Sequence, residues 1–126
     1  MALIQGELTG NVIGAAIEVH RQLGPGLLES AYEECLAYEL GECGCKVLRQ
    51  VQLPIIYKGL QLDAGYRIDL MVNDALIVEI KAVKKFEPIH DAQLLTYLKL
   101  SGLRFGLLLN FNVPVLKQGI RRLVHG

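Results

Sequence analysis

The chain has 126 residues, of which 52% are hydrophobic, and its 13 basic and 13 acidic side chains give a formal net charge of zero. A chain of this length buries about two-thirds of its unfolded surface in one core. We therefore expect one domain over residues 1–126. No apolar run reaches the roughly 18 residues of a membrane helix, and the zero charge excludes a strongly basic surface over the whole chain.

The apolar content predicts that some apolar surface stays uncovered after folding, so we expect a homo-oligomer, with a dimer as the simplest form. The first residues lack the basic start and apolar run of a secretory signal. An odd number of cysteines, three, favours reduced thiols. Together these features predict a cytoplasmic protein. Cys43 and Cys45 resemble half of a zinc site, but the sequence offers no second pair with matching spacing.

Two helices are predicted at the start of the chain. Apolar residues recur at three- and four-residue steps over residues 7–22, which indicates an amphipathic helix. Glycine and proline in residues 23–26 break this helix. A second apolar stripe predicts a helix over residues 28–40, and Gly41 and Gly44 favour its end.

Strand-like runs follow the second helix. They span residues 46–51, 53–57, 66–72 and 75–81. Turn sequences at Lys58-Gly59 and Asn73-Asp74 predict that the runs they connect pair as antiparallel neighbours.

A third helix is predicted to begin near Pro88 and to stop at Ser101-Gly102. Residues 104–110 are typical of a buried strand. The tail over residues 115–124 is mixed, and we expect a turn with a brief last strand or helix there.

Charged side chains interrupt the two apolar strands that flank the Asn73-Asp74 turn. Asp69 lies in the first strand, and Glu79 and Lys81 lie two residues apart in the second, so these two share a face. If the hairpin brings Asp69 alongside, the carboxylates lie within roughly 5 to 8 Å of each other. This separation allows both to bind one small divalent ion.

Mg²⁺ prefers oxygen ligands and typically takes one or two carboxylates together with phosphate oxygens and waters. Asp69 and Glu79 are therefore candidate ligands of Mg²⁺ or Mn²⁺, which would polarise a phosphate and lower the pKa of a bound water. Lys81 could orient that water or stabilise negative charge on the phosphorane. The alternative is a cross-strand ion pair on a wet sheet face. The apolar surroundings favour the metal site, because buried charges need a partner or a metal.

Two helices offer supporting polar groups. Gln93 and Tyr97 are four residues apart on the third helix and share a face, and Glu29 lies in the first turn of the second helix, three residues before Tyr32. Taken singly, these residues are typical of core aromatics, a surface glutamine and an acid that stabilises the helix dipole.

Four ordered motifs resemble a known family. Gly26-Leu27-Leu28-Glu29-Ser30-Ala31-Tyr32 reproduces the pattern of the GxxExxY proteins. Asp69, then Glu79-Ile80-Lys81, then Gln93-Leu94-Leu95-Thr96-Tyr97 resembles PD-(D/E)XK nucleases that carry a QxxxY helix, and the segment 108–112 is similar to them too. The likeness covers nearly the whole chain, although Arg67-Ile68 replaces the proline-containing start of the literal motif.

The resemblance implies an α/β (α+β) fold of the restriction-endonuclease type, with a mixed sheet flanked by helices. It implies Asp69 and Glu79 as metal ligands and Lys81 as the catalytic lysine. It further implies Glu29 as a helix-borne acid that completes the site, with Gln93 and Tyr97 lining it. Related nucleases often carry a histidine near the first helix, for which His20 is the candidate.

Two functions follow from these patterns. The first is a metal-dependent nuclease that hydrolyses phosphodiester bonds in DNA or RNA. The second is a catalytically silent module that keeps the nuclease fold and binds a partner or dimerises, which the neutral charge and small size favour. Six basic residues could form a local patch for phosphates, or could be an ordinary solvated surface: Lys84, Lys85, Lys99, Arg104, Arg121 and Arg122.

Overall fold

The computed structural model describes residues 5–62 and 66–126. The described residues form three α-helices, a 3-10 helix and seven strands. In chain order these are α1 (Gln5–Leu23), α2 (Glu29–Glu42), β1 (Val47–Gln52), β2 (Ile55–Tyr57), β3 (Leu60–Leu62), β4 (Arg67–Val72), β5 (Leu76–Lys81), α3 (Pro88–Ser101), β6 (Phe105–Asn110), the 3-10 helix (Leu116–Gly119) and β7 (Ile120–Val124).

Five strands form one mixed sheet in the order β1-β4-β5-β6-β7. Only the β5–β6 pair of this sheet is parallel. Buried side chains of α1 and α2 pack on one face of the sheet, and those of α3 pack on the other. The predicted α+β fold, a mixed sheet flanked by helices, is therefore confirmed.

β5 lies in the middle of the sheet, and its residues from Leu76 to Ile80 are buried. Leu76, Val78 and Ile80 pack into the core formed with α1 and α2, whereas Ile77 packs into the core formed with α3. Because side chains alternate along a strand, Glu79 and Lys81 lie on the α3 side. The central strand thus carries both charged residues into the interior of the fold.

The Asn73-Asp74 turn joins β4 and β5 into the predicted antiparallel hairpin. Both turn residues have φ of 53°, which matches the two positive φ angles of a type I′ turn. Asn and Asp tolerate this left-handed conformation better than most residues do.

The predicted pairing of residues 53–57 with residues 66–72 is wrong. The Lys58-Gly59 turn instead joins β2 to β3, which form a separate two-stranded sheet, and the antiparallel neighbour of β4 is β1. Lys58 and Gly59 both have positive φ, so the chain reverses tightly and the following residues pair at once with β2.

The helix ends and the tail differ little from expectation. α2 continues through Gly41 to Glu42 before it stops, and the tail forms the 3-10 helix followed by β7. Within residues 5–62 and 66–126, no helix combines the length and apolar character needed to cross a membrane.

Candidate active site

The regular pairing of β4 with β5 ends one residue before Asp69 and Glu79. Its last matched pair is Leu70 with Val78. Beyond it, the backbone N–H of Asp69 donates to Oε2 of Glu79 at 2.8 Å, and the N–H of Ile80 donates to Oδ2 of Asp69 at 2.8 Å. Side-chain oxygens therefore replace the carbonyl oxygens that would continue the ladder. These reciprocal bonds bring the two carboxylates together.

Burial changes the acidity of this pair. Glu79 is 3% exposed, and its burial, followed by the neighbouring charge of Asp69, raises its pKa to about 8. Burial also raises the pKa of Asp69, and the charge of Glu33 adds to the rise, against the lowering effect of the Ile80 hydrogen bond. Among the described residues, neither acid forms a direct ion pair. The pair thus lacks a directly bound positive charge.

A third acid, Glu33 of α2, lies beside the pair. It is buried, its Oε2 lies 3.1 Å from Nη2 of Arg49, and its charge raises the pKa values of both Asp69 and Glu79. Sequence analysis missed Glu33. Its position directly after Tyr32 and four residues after Glu29 was the signal, because it places an acid at the edge of the apolar stripe of α2.

Gln50 connects Glu33 to Asp69. Its Nε2 donates to Oε1 of Glu33 at 2.6 Å and lies 3.3 Å from Oδ1 of Asp69. The β1–β4 register passes from Arg49 with Leu70 to Val51 with Ile68, so Gln50 is the extra residue of a β-bulge. Its φ of 52° is a left-handed conformation that is uncommon outside glycine. Sequence analysis also missed this residue, since an isolated glutamine gives no bulge signal.

The residues predicted on α3 lie next to Lys81. Nζ of Lys81 donates to Oε1 of Gln93 at 3.4 Å, and Nε2 of Gln93 donates to the hydroxyl oxygen of Tyr97 at 2.9 Å. Burial and then the charge of Glu79 raise the pKa of Tyr97. The structure therefore brings Lys81, Gln93 and Tyr97 into one chain of contacts beside the carboxylate pair.

Glu29 has a different position from Glu33. It is exposed, and its Oε2 accepts the N–H of Ala82 at 3.0 Å, directly after Lys81. On the opposite side of this segment, the buried Asn110 accepts the N–H of Val83 and donates to its carbonyl oxygen. Glu29 and Asn110 thus fix the backbone that leaves β5.

The candidate His20 makes a structural contact with the backbone, and so does His90 of α3. Nε2 of His20 lies 2.8 Å from the carbonyl oxygen of Val113, which joins α1 to the segment after β6. Nδ1 of His90 accepts the N–H of Glu87 at 3.0 Å and completes a capping box at the start of α3.

The predicted basic patch is partly engaged by protein groups. Arg121 pairs with Asp91 at 2.6 Å and lies over the ring of Phe86, and Arg104 lies over the ring of Phe105. Lys84 and Lys85 are exposed directly beyond β5, close in sequence to Lys81.

The donor set at the carboxylate pair fits a divalent ion that keeps several waters. No three histidine, cysteine or acidic side chains in the described part of the chain are arranged to hold one ion together. Asp69 and Glu79 supply two carboxylates, which is the number that Mg²⁺ takes when phosphate and water complete its shell. Their burial without a direct cation gives a physical reason for a cation to bind between them.

One family of known proteins matches nearly the whole chain. No curated protein and no solved structure shows significant similarity to the chain. A sequence profile of the PD-(D/E)XK nuclease superfamily matches residues 6–123, which include the described acids, the lysine and α3. The chain belongs to the PD-(D/E)XK nuclease superfamily.

Proposed function

We propose that this protein is a divalent-metal-dependent nuclease that hydrolyses phosphodiester bonds in DNA or RNA. The observation that carries the proposal is the pair of half-buried Asp69 and buried Glu79, joined by reciprocal hydrogen bonds and without an ion pair to any described residue. Membership in a superfamily of nucleases that generally depend on divalent metals supports it. Mg²⁺ is the proposed ion, with Mn²⁺ as the laboratory substitute.

In this proposal Asp69 and Glu79 hold the metal ion. When bound, the ion supplies charge stabilisation at the phosphate and a water of lowered pKa. Lys81 stabilises the negative charge that develops on the phosphate oxygens or orients the attacking water. Its proximity to the pair is supported by the influence of its charge on the pKa values of both acids.

The remaining candidates act as positioning residues. Gln93 holds the Lys81 ammonium on the α3 side, and Tyr97 holds the Gln93 amide. Glu29 holds the N–H of Ala82 and thereby limits movement of the backbone next to Lys81. Glu33 adds a third negative charge near the pair, which increases the attraction for a cation.

The deciding experiment incubates the purified protein with Mg²⁺ or Mn²⁺ and a panel of single- and double-stranded DNA and RNA. We expect cleavage of at least one substrate, and at least a hundredfold loss in Lys81→Ala. Lys117→Ala is the matched control, because Lys117 is an exposed lysine of the 3-10 helix that is not part of the predicted basic patch, and it should keep its activity. Undiminished cleavage by Lys81→Ala would remove Lys81 from the mechanism.

The alternative is a catalytically silent module with the same fold. Exposed apolar side chains on the β2–β3 hairpin favour a binding role, among them Ile56, Tyr57 and Leu60. Calorimetric titration with Mn²⁺ separates the two functions. Absence of binding, or equal binding by the double variant Asp69→Asn with Glu79→Gln, would favour the silent module.

Three finer assignments belong to the same proposal. The motif from Gly26 to Tyr32 supports placement in the GxxExxY subgroup, a prokaryotic family. Exposed apolar residues support a homodimer. Free thiols at Cys35, Cys43 and Cys45, as expected in a reducing compartment, support a cytoplasmic location.

A further inference from the structure

A cavity of about 340 Å³ lies on the side of α3 that carries Gln93 and Tyr97. Its wall is mainly apolar and is formed by Ile55, Tyr66, Ile89, Thr96 and Leu100 in addition to those two residues. The volume falls within the range of small-molecule sites, roughly 300 to 1,000 Å³.

The cavity adjoins the candidate active site through Gln93. Gln93 donates to Tyr97 inside the cavity wall and accepts from Lys81 outside it. Besides burial, which is the larger cause, the nearby charges of Glu79 and Asp69 raise the pKa of Tyr97. A molecule held at the carboxylate pair therefore has the cavity directly beside it.

The chemistry of the wall matches a flat aromatic group with polar edges. Tyr66 is 44% exposed, and its ring stacks on no other ring of the described residues. The aliphatic side chains of Ile55, Ile89 and Leu100 provide further apolar contact. Gln93 and Thr96 offer hydrogen-bonding groups at the rim. Aromatic side chains bind nucleobases in this way with little sequence preference.

Basic residues flank the cavity in the sequence. Arg67 follows Tyr66, and Lys99 precedes Leu100, and both are exposed. Positive charge at these positions attracts the phosphates of a strand that runs past the cavity.

We propose that this cavity binds one unpaired nucleobase of the strand whose phosphate lies at Asp69 and Glu79, so that the substrate is single-stranded or has a frayed end. This inference rests on the nuclease function proposed above. A base inside a duplex is stacked on both faces and paired along its edge, so it must leave the helix to enter a protein pocket. Single strands satisfy this condition without the cost of unpairing.

The test measures binding of fluorescent oligonucleotides in Ca²⁺, which takes oxygen ligands as Mg²⁺ does but with looser geometry. We expect the single strand to bind at least tenfold more tightly than a blunt duplex of the same sequence. Tyr66→Ala should weaken single-strand binding about tenfold, whereas Tyr66→Phe should retain it. Tyr57→Ala is the matched control, because Tyr57 is an exposed tyrosine outside the cavity wall.

A second measurement needs no variant. Short oligonucleotides with one abasic residue, moved along the strand, should show one position at which loss of the base weakens binding about tenfold. Equal losses in Tyr66→Ala and Tyr57→Ala, uniform binding of all abasic probes, or duplex binding as tight as that of the single strand would overturn the inference.

Failure of this inference is distinguishable from failure of the nuclease proposal. Mn²⁺ affinity depends on Asp69 and Glu79 and should be unchanged in Tyr66→Ala. If the native protein cleaves nucleic acid and binds Mn²⁺ but Tyr66→Ala leaves oligonucleotide binding unchanged, only the nucleobase pocket is rejected. If the native protein neither cleaves nucleic acid nor binds Mn²⁺, the nuclease proposal is rejected. If Tyr66→Ala instead halves the molar mass in light scattering and leaves oligonucleotide affinity unchanged, the cavity serves self-association and the inference is wrong.

Discussion

The side-chain amide of Gln50 donates to Glu33 at 2.6 Å, and this bond places a glutamine with φ of 52° between the acid of α2 and Asp69 of β4. Strained backbone often occurs at functional sites, where the surrounding structure maintains it. The bulge therefore places the Gln50 amide between the carboxylates of Glu33 and Asp69, which repel each other, as a hydrogen-bond donor that both share.

A comparison of Gln50→Gly with Gln50→Ala should separate the cost of the strained backbone from the effect of losing the side-chain amide. Both remove the donor, but only glycine adopts positive φ without a steric cost. We expect Gln50→Gly to be about 1 kcal/mol more stable than Gln50→Ala, measured by urea unfolding. Both variants should bind Mn²⁺ more weakly than the native protein does. Equal stability of the two variants would contradict a strained bulge.

The metal-free protein should become less stable as the pH rises from about 4.5 to about 8, the usual and folded pKa values of Glu79. In this window the unfolded chain loses the Glu79 proton while the folded protein keeps it, so deprotonation favours unfolding. The loss should amount to a few kcal/mol in urea unfolding with a chelator present, on the order that a shift of this size implies. Glu79→Gln should flatten the profile, and a native profile that is already flat would contradict the raised pKa.

Added Mn²⁺ should raise the free energy of unfolding of the native protein. At a free concentration a hundred times the dissociation constant, the gain is about 2.7 kcal/mol. Asp69→Asn should abolish most of this gain in thermal or urea unfolding. Asp74→Asn serves as its control, because Asp74 is an exposed aspartate in the turn after β4. A similar loss in both variants would indicate nonspecific ion binding.

Arg49→Met should destabilise the protein by roughly 2 kcal/mol, because it leaves the buried Glu33 without its cation. The cost stays below that of a fully buried pair, since Arg49 is itself partly exposed. Arg21→Met removes an exposed arginine from Glu18 and should cost much less, because solvent screens this pair. Urea unfolding of both variants checks the difference, and equal costs would argue against burial as its cause.

Gly119→Ala should destabilise the fold by about 3 kcal/mol or more. A Cβ atom at this position would meet the backbone oxygen of Asn110, which cannot move without disturbing β6. Gly14→Ala in the exposed part of α1 has open space around it and should be neutral or slightly stabilising. Thermal unfolding of the two variants gives the comparison.

Local patterns predicted most of the elements and the acids of the site. Helical periodicity predicted α1 and α2, and start and stop signals at Pro88 and Ser101-Gly102 predicted α3. The Asn73-Asp74 turn predicted the hairpin that brings Asp69 near Glu79. The partner of β4 was not predictable in this way, because a turn signal reports only the next residues and β1 lies about 20 residues away in the sequence.

Residues that act through tertiary contacts were harder to predict. Sequence analysis named Glu29, which belongs to a recognisable motif, and missed Glu33, although Glu33 is the acid of α2 whose charge raises the pKa of Asp69. Gln50 and Asn110 were missed as site residues. Neither a glutamine at a β-bulge nor an asparagine whose side chain binds the backbone of Val83 has a recognisable local sequence pattern. Both depend on which strands become neighbours.

The parallel pairing of β5 with β6 also bears on how the chain emerges from the ribosome. Six residues of β5, from Leu76 to Lys81, pair with a strand that begins only at Phe105. Until that later segment is synthesised, the strand with Glu79 and Lys81 has one open edge, which is the kind of surface that promotes aggregation. A nascent chain that stalls before Phe105 would therefore expose a strand that is buried in the folded protein, and the site would be among the last parts of the fold to close.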